Sequence, residues 1–301
     1  MRPGKIATVC GLALIHIVLP LASYASEMGP TLDKINEANL IVIGHRESTV
    51  PFSYYDENQH VIGFAQDLCV KVIDAVKTKL NKPNLSVRMV PVNSQNTMVL
   101  VQNGTIDLVC ATTTNTKARQ ERVGFSYTYF VGLDRLLVNK NSGVRDFPDL
   151  ANQTVVTNAG TTQEVILSRM NVEKKLGMKI IATKDYAESF EMLQTGRAKA
   201  FMLEDITLMG ARTLAKNPSE WQITGSIQSR EPYAFVIRKD DAAFKDLVNT
   251  ALRQTFSSPE ITTLYTKWFR SPIPPKNINF DLEMSPELKE LYVSPNDQAV
   301  N

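Results

Sequence analysis

The sequence of 301 residues predicts an α/β protein with two lobes, and three observations support this prediction. Apolar strand-like runs alternate with amphipathic helix-like segments, which is typical of parallel sheets flanked by helices. This alternation occurs twice along the chain, in two runs of about 100 residues each. The composition, 43% hydrophobic and 21% charged, is that of a globular protein that can bury a substantial core.

The first run predicts a parallel sheet with its helices. "LIVIGH" (Leu40–His45) predicts a strand, "PFSYYDENQHVIGF" a hairpin or loop, and "AQDLCVKVIDAVKTKL" a helix with apolar residues at helical spacing. "LSVRMVPV" predicts a strand, "NTMVLVQNG" a short helix, and "TIDLVCAT" and "RLLVNK" two further strands. We predict a loop for "FSYTYF", which precedes the last of these strands.

The second run repeats the order of strand, polar turn and helix. Its segments are "QTVVTNAGTTQEVILSRM", "KIIATKDYAESFEMLQTG" and "AKAFMLEDITLMGARTLA", followed by the strand "YAFVIRK" and the helices "AAFKDLVNTALRQTF" and "TTLYTKWF". If "LLVNK" and "YAFVIRK" both cross between the lobes, residues 32–137 plus 238–301 form lobe 1 and residues 138–237 form lobe 2. A proline-containing tail with the short helix "SPELKELY" closes the chain.

The N-terminus predicts a secretory signal peptide over residues 1–25. A basic start, "MRPGK", precedes the apolar run "IATVCGLALIHIVLPL" and small residues suited to cleavage near Ala25. A membrane anchor is the weaker alternative, because a spanning helix needs roughly 20 apolar residues. Without Arg2 and Lys5 the mature chain has as many basic as acidic residues. We therefore expect an exported, periplasmic protein with no nucleic-acid or anionic membrane partner, both of which favour a clustered basic face.

The mature chain contains Cys69 and Cys110, and its histidines are His45 and His60. In an oxidising compartment the two cysteines could pair. The sequence does not show whether they come close enough, and we favour two unpaired, buried cysteines. With no Cys/His cluster of zinc-ligand spacing, we expect no metal and no cofactor.

Polar side chains follow the predicted strands, where ligands of open α/β sheets bind. The candidates are Arg46, Ser94, Thr97, Thr112, Thr114, Arg119, Thr161, Thr162 and Asp205. Some have ordinary explanations, since the threonines could be helix N-caps and Arg119 a surface arginine. Together they suit a zwitterion. Arg119 would bind a carboxylate, the first helical amides at Thr161 and Thr162 would assist, and Asp205 would face an ammonium group.

These segments resemble the periplasmic amino-acid-binding proteins of ABC transporters, solute-binding protein family 3. The resemblance covers the chain from about Leu32 to the tail. It rests on "VPFSYYDENQHVIGFAQDL", "QNGTIDLVCATTTNTKARQERVGFSYTYF", "AGTT" and "LED". "GHRESTVPFSYYD", "LNKPNL", "VNSQN" and "PIPPKNIN" resemble the glutamate/aspartate-binding subgroup. The resemblance implies a type II periplasmic-binding-protein fold, with a ligand cleft between two lobes joined by two crossover strands.

The resemblance also implies residue roles. Arg119 would hold the α-carboxylate of a free amino acid, with Thr114 and the amides at Thr161 and Thr162. Thr112 and Asp205 would hold its α-ammonium group. Arg46 and Ser94 would reach the side-chain carboxylate. The chain departs from the subgroup at Thr97, where an arginine is usual, and at Tyr186, where a histidine is usual. Tyr186 stays a predicted ligand-binding residue.

The expected function is therefore capture of glutamate or aspartate by a monomeric binding protein that delivers it to a membrane permease. Because of Thr97 and Tyr186, glutamine or asparagine is an alternative ligand. A cleft enzyme such as a dehydratase and a sensor domain are further alternatives, since a fold does not fix a function. The sequence offers no Ser/His/Asp set for catalysis.

Overall fold

A computed structural model describes Gly4 and residues 28–301. Apart from Gly4, the predicted signal peptide lies outside the described residues. The helices are α1 Gly29–Ala38, α2 Phe64–Lys79, α3 Thr97–Gln102, α4 Lys117–Gln120, α5 Thr162–Glu173, α6 Tyr186–Gln194, α7 Asp205–Thr213, α8 Ala242–Phe256, α9 Glu260–Phe269 and α10 Pro286–Val293. Within this described part, no helix is both long and apolar enough to cross a membrane.

The strands form one long mixed sheet and one small antiparallel sheet. They are β1 Leu40–His45, β2 Ser48–Thr49, β3 Ser53–Tyr55, β4 Val61–Ile62, β5 Ser86–Pro91, β6 Leu108–Thr114, β7 Gly124–Asn139, β8 Thr154–Asn158, β9 Lys179–Thr183, β10 Ala200–Glu204, β11 Trp221–Thr224 and β12 Arg230–Ile237. The long sheet has the order β5-β1-β6-β12-β7-β10-β8-β9, with β11 also paired to β7. β1 is parallel to β5 and β6, and β8 is parallel to β9 and β10. The α/β class predicted from the alternation is therefore confirmed.

Strand β7 joins the two halves of the long sheet. Its first part, Gly124 to Leu133, pairs with β12, and from Asp134 onward it pairs with β10 and β11. The segment "FSYTYF" is part of this strand, so the prediction of a loop there was wrong. Phe125, Tyr129 and Phe130 are buried in the core, and aromatic residues favour such half-buried strands.

The helices cover the sheet with the faces that their periodicity predicts. α2 buries the apolar residues of its predicted stripe up to Val76, and α8 has the predicted bounds. Their core also contains Phe52, whose ring contacts five other aromatic rings.

Helix α1 and strand β11 were not predicted. α1 buries only Thr31, Leu32 and Ile35, a short apolar pattern that gives little periodic signal.

A disulfide joins Cys69 and Cys110, with 5.9 Å between their Cα atoms. The expectation of two unpaired cysteines was therefore wrong. α2 packs on β6 so that both cysteines lie in the same buried layer, each at most 1% exposed. This proximity arises from tertiary packing, which the local sequence does not encode.

Candidate functional site

A narrow cavity lies where the polar ends of the strands meet. Its walls come from both halves of the long sheet. The lining residues are Arg46, Ser94, Thr97, Met98, Thr112, Thr113, Thr114, Arg119, Thr161, Thr162, Gln163, Tyr186 and Glu204. The structure thus brings together all of the predicted ligand-binding residues except Asp205.

Arg119 is held at this cavity by two backbone carbonyl groups. Its Nη1 donates to the carbonyl oxygen of Thr114 at 2.9 Å, and its Nη2 donates to that of Gly160 at 3.1 Å. Among the described residues no carboxylate lies within ion-pair distance of the guanidinium. Burial lowers the pKa of Arg119, and the charge of Glu231 opposes this effect. The guanidinium is therefore oriented and is available to an anionic ligand.

Arg46, the second arginine of the cavity, is also held by neutral groups. Its Nη2 donates to Ser94 Oγ at 2.7 Å and to the Tyr186 hydroxyl at 3.0 Å, and its Nη1 donates to the Val92 carbonyl. The guanidinium carbon lies 5.1 Å from the centre of the Tyr186 ring, a cation–π distance. Arg46 is 8% exposed. A buried arginine with neutral partners favours an anionic group nearby.

The start of α5 contributes a turn and two threonines. Gly160 has φ +77°, a left-handed conformation that favours glycine. Thr161 is the N-cap of α5, and its side chain accepts a hydrogen bond from the backbone N–H of Glu164. The Thr162 hydroxyl donates to Glu231 Oε2 at 2.7 Å. The first amides of a helix have no intrahelical acceptor, so this end of α5 can bind a carboxylate.

Two further threonines of the cavity differ in their hydrogen bonding. The Thr112 hydroxyl is buried, and it has no hydrogen-bond partner among the described residues. Thr97 donates its hydroxyl to the carbonyl oxygen of Asn93 at 2.7 Å, so its own helical turn already uses that donor. Thr112 thus retains its hydrogen-bonding capacity for a ligand.

The structure differs from the prediction at Asp205. This carboxylate accepts hydrogen bonds from the backbone N–H groups of Leu133 and Ile206, where it holds the start of α7 against β7. The preceding residue, Glu204, lines the cavity instead and is 3% exposed. The sequence "LED" contains two adjacent acids, and the entry of the chain into α7 decides which one faces the cavity.

The sequence analysis missed Glu204, Gln163, Met98 and Thr113. It also missed a buried group of three carboxyls behind the cavity, formed by Asp134, Glu204 and Glu231. One oxygen of each lies within 4.8 Å of the others. Burial raises the pKa of Glu204 to about 8 and that of Asp134 well above its usual range, and the charge of Glu231 adds to both shifts. The only sequence signal for this group was the presence of acids in apolar strands.

Comparison with known proteins identifies the family. The family model for bacterial extracellular solute-binding proteins, family 3, matches residues 41–271. A glutamate/aspartate import solute-binding protein of Salmonella typhimurium is 48% identical over 277 residues, covering 92% of each chain. An L-glutamate/L-aspartate-binding protein of Pseudomonas aeruginosa is 47% identical over 288 residues, covering 95% of each chain.

A solved structure agrees with this assignment. The P235GK mutant of ArgBP from T. maritima superposes with a TM-score of 0.70 at 26% identity, covering 79% of this chain and 99% of that one. These findings confirm both the resemblance inferred from the motifs and the two-lobed fold that it implied. The chain belongs to the bacterial extracellular solute-binding proteins, family 3.

Proposed function

We propose that this chain is the periplasmic substrate-binding component of an ABC importer, which captures glutamate or aspartate and delivers it to a membrane permease. The observation that carries the proposal is the pair of arginines, Arg46 and Arg119, in one cavity that also contains Glu204. An acidic amino acid has two carboxylates, which complement the two guanidinium groups, and one ammonium group, which can donate hydrogen bonds to the carboxyl of Glu204. The names of the two relatives support this ligand class and support transport over catalysis.

The proposed roles follow from the donors and acceptors that each residue offers. Arg119, Thr114 and the first amides of α5 bind the α-carboxylate. Glu204, rather than Asp205, accepts from the α-ammonium group, and Thr112 uses its unpartnered hydroxyl there. Arg46, held by Ser94 and Tyr186, binds the side-chain carboxylate.

Ligand capture is proposed to occur by closure of two lobes, residues 32–133 plus 230–301 and residues 134–229, because Tyr233 to Ile237 of β12 pair with β6 in the first lobe. The pairing of β7 changes between Leu133 and Asp134, and Leu133 is paired with Arg230 at the start of β12. We place the hinge there, because hinge closure concentrates the backbone change in a few residues. Hydrogen bonds between the proposed lobes include Arg46 to Tyr186, Arg119 to Gly160 and Ser48 to Asp185.

The mature protein is proposed to be a monomer in the periplasm, with its signal peptide cleaved near Ala25.

Glutamine or asparagine is the second candidate ligand, favoured by one observation. Arg46 already donates to Ser94, Tyr186 and Val92. Among the residues that the structure describes, this end of the cavity therefore has a single cation among neutral hydrogen-bonding groups, which an amide side chain can also satisfy.

Thermal unfolding against single amino acids tests the proposal. A ligand that binds only the folded protein stabilises it by about 4 kcal/mol at a thousandfold excess over Kd. We expect a large rise of Tm with glutamate or aspartate and a smaller one with their amides. A larger rise with the amides would establish the second candidate. An unchanged Tm with every amino acid would contradict the binding function.

The replacement Gly210→Ala is expected to weaken ligand binding without lowering the stability of the unliganded protein. Gly210 of α7 lies against the loop after β2, and a Cβ atom there would come within 2.1 Å of the Val50 carbonyl oxygen. Because this contact joins the proposed lobes, the variant should close poorly, and we expect its Kd to rise roughly tenfold through overpacking. Alanine favours a helix over glycine by about 1 kcal/mol, so Tm without ligand should not fall. Calorimetric titration and thermal unfolding check this, and an unchanged Kd would show that closure does not require the contact.

A further inference from the structure

The three carboxyls behind the cavity share one face of the strands at the proposed hinge. Glu204 of β10 lies directly opposite Asp134 of β7, and Glu231 of β12 lies opposite Gly132, two residues earlier on β7. Asp134 and Glu231 have no measurable exposure, and Glu204 has 3%. Like charges directly opposite each other in a sheet destabilise it. Three ionised groups in this position would therefore be costly.

The hydrogen bonds of the cluster leave one oxygen of each carboxyl unsatisfied. Gln163 Nε2 donates to Asp134 Oδ1 at 2.6 Å, and Thr162 Oγ1 donates to Glu231 Oε2. Asp134 Oδ2, Glu204 Oε2 and Glu231 Oε1 are buried without a partner among the described residues. Two carboxyl oxygens can share a hydrogen bond only when one of the groups carries a proton. Protons on the cluster would therefore satisfy these oxygens.

The cluster belongs to the wall of the ligand cavity. Glu204 and its neighbours Thr162 and Gln163 line that cavity. Thr112 independently indicates a ligand there, because its buried hydroxyl lines the same space without a partner among the described residues. Among the described residues, Arg119 on α4 lies near the cluster, and its own pKa responds to Arg46 after β1 and to Tyr186 on α6. Tyr129 on β7 and Tyr233 on β12 interact with Glu204, and Asp205 on α7 acts on Tyr233.

We propose that Asp134, Glu204 and Glu231 form a specificity determinant that adjusts its number of protons to the charge of the bound amino acid, so that an acidic amino acid binds with one more proton than its amide. The proposal rests on the proposed function, since it requires an amino acid in the cavity. Asp134 and Glu231 act as positioning residues, and Glu204 is the member that contacts the ligand.

The reason is charge balance in a buried site. Arg46 and Arg119 contribute two positive charges, and an uncompensated buried charge is strongly unfavourable. Glutamate carries a net charge of −1, so the site is neutral when the three carboxyls share one negative charge and hold two protons. Glutamine carries no net charge, so neutrality then requires two negative charges and one proton.

The raised pKa values of Asp134 and Glu204 predict which protons are present before binding. Burial raises the pKa of Asp134 well above its usual range and that of Glu204 to about 8, so Glu204 is mostly protonated at pH 7 and loses its proton above about pH 8. Glutamate must restore that proton, so its affinity falls as the pH rises above about 8. Glutamine must displace a proton below pH 8, so its affinity rises as the pH approaches 8. These opposite slopes follow from proton linkage.

Isothermal titration in buffers of different ionisation enthalpy counts these protons. We expect glutamate to bind with almost no proton exchange at pH 7.0 and to take up close to one proton at pH 8.5, with Kd about fourfold weaker at the higher pH. We expect glutamine to release close to one proton at pH 7.0, with Kd about eightfold tighter at pH 8.5. His45 is not expected to contribute, because burial lowers its pKa. A proton count that is zero at both pH values, for whichever amino acid binds, would overturn the inference.

The proton count of the double variant D134N/E231Q tests whether the protons exchanged on binding come from the cluster. It replaces two carboxyls by neutral groups that resemble their protonated forms. We expect proton uptake at pH 8.5 to disappear and the Kd for glutamate to become equal at the two pH values. The control D246N/E173Q removes two exposed carboxyls and should keep the wild-type proton count. Persistence of the uptake in D134N/E231Q would overturn the assignment, and if this variant does not fold, the wild-type proton counts decide.

The two proposals fail in different ways. If no amino acid raises Tm, the proposed function fails. If an amino acid binds but no proton count changes with pH, only the inference about the cluster fails.

Discussion

Replacement of Arg119 by methionine is expected to raise the Kd for the bound amino acid at least about a hundredfold. Truncating one partner of a buried, hydrogen-bonded charge pair costs about 2–5 kcal/mol, and about 2.8 kcal/mol corresponds to a hundredfold change. The carbonyls of Thr114 and Gly160 orient the guanidinium before any ligand binds. The variant therefore loses a prearranged, charge-assisted contact with the α-carboxylate.

The same replacement should leave the stability of the unliganded protein nearly unchanged. Burial disfavours the charged form of Arg119 and lowers its pKa, so its charge is costly to keep in this position. Methionine removes both that cost and two neutral hydrogen bonds. Titration calorimetry gives the Kd, and thermal unfolding without ligand gives Tm. Arg122 provides a matched control in the same segment, because its Nη2 donates to exposed Gln102 outside the cavity. Wild-type affinity in R119M, or an equal loss in R122M, would contradict the role assigned to Arg119.

The positions of Arg119 and the other predicted residues that line the cavity could be found from the sequence because local signals place them. Hydrophobic periodicity locates the strands and helices, and the ends of neighbouring parallel strands meet at one edge of a sheet. Arg46 directly follows β1, Ser94 follows β5, and Thr112 and Thr114 end β6. Each position thus depends on an element only a few residues away, and small errors in element bounds do not change the result.

The carboxyl cluster could not be predicted in this way. Asp134, Glu204 and Glu231 come from three different strands, and only the antiparallel register of β7 with β10 and β12 brings them together. A shift of one residue in a strand moves every side chain to the opposite face. The choice between Glu204 and Asp205 also depends on tertiary structure. Glu204 is the last residue of β10 and faces the cavity, whereas Asp205 is the first residue of α7 and does not.

The disulfide is the other feature that tertiary packing alone determines, and its removal should have a large effect on stability. Cys69 and Cys110 are 41 residues apart in sequence. A cross-link closing a loop of this length stabilises the folded state by about 4 kcal/mol in the chain-entropy account, and measured values commonly lie at about 2–5 kcal/mol. We therefore expect C69A/C110A to lose about 4 kcal/mol in the free energy of unfolding.

Urea unfolding of C69A/C110A, of the oxidised wild type and of the reduced wild type measures this loss. The reduced wild type keeps both sulfur atoms, so it separates the cross-link from the small cavities that the alanines leave. If the loop entropy dominates, both forms should unfold at a lower urea concentration by similar amounts. An unchanged midpoint in the reduced wild type would show that packing of α2 on β6 holds this layer without the bond. Ligand affinity should change far less than stability, because the disulfide lies outside the cavity and Thr112 and Thr114 remain held in β6 by its pairing with β12.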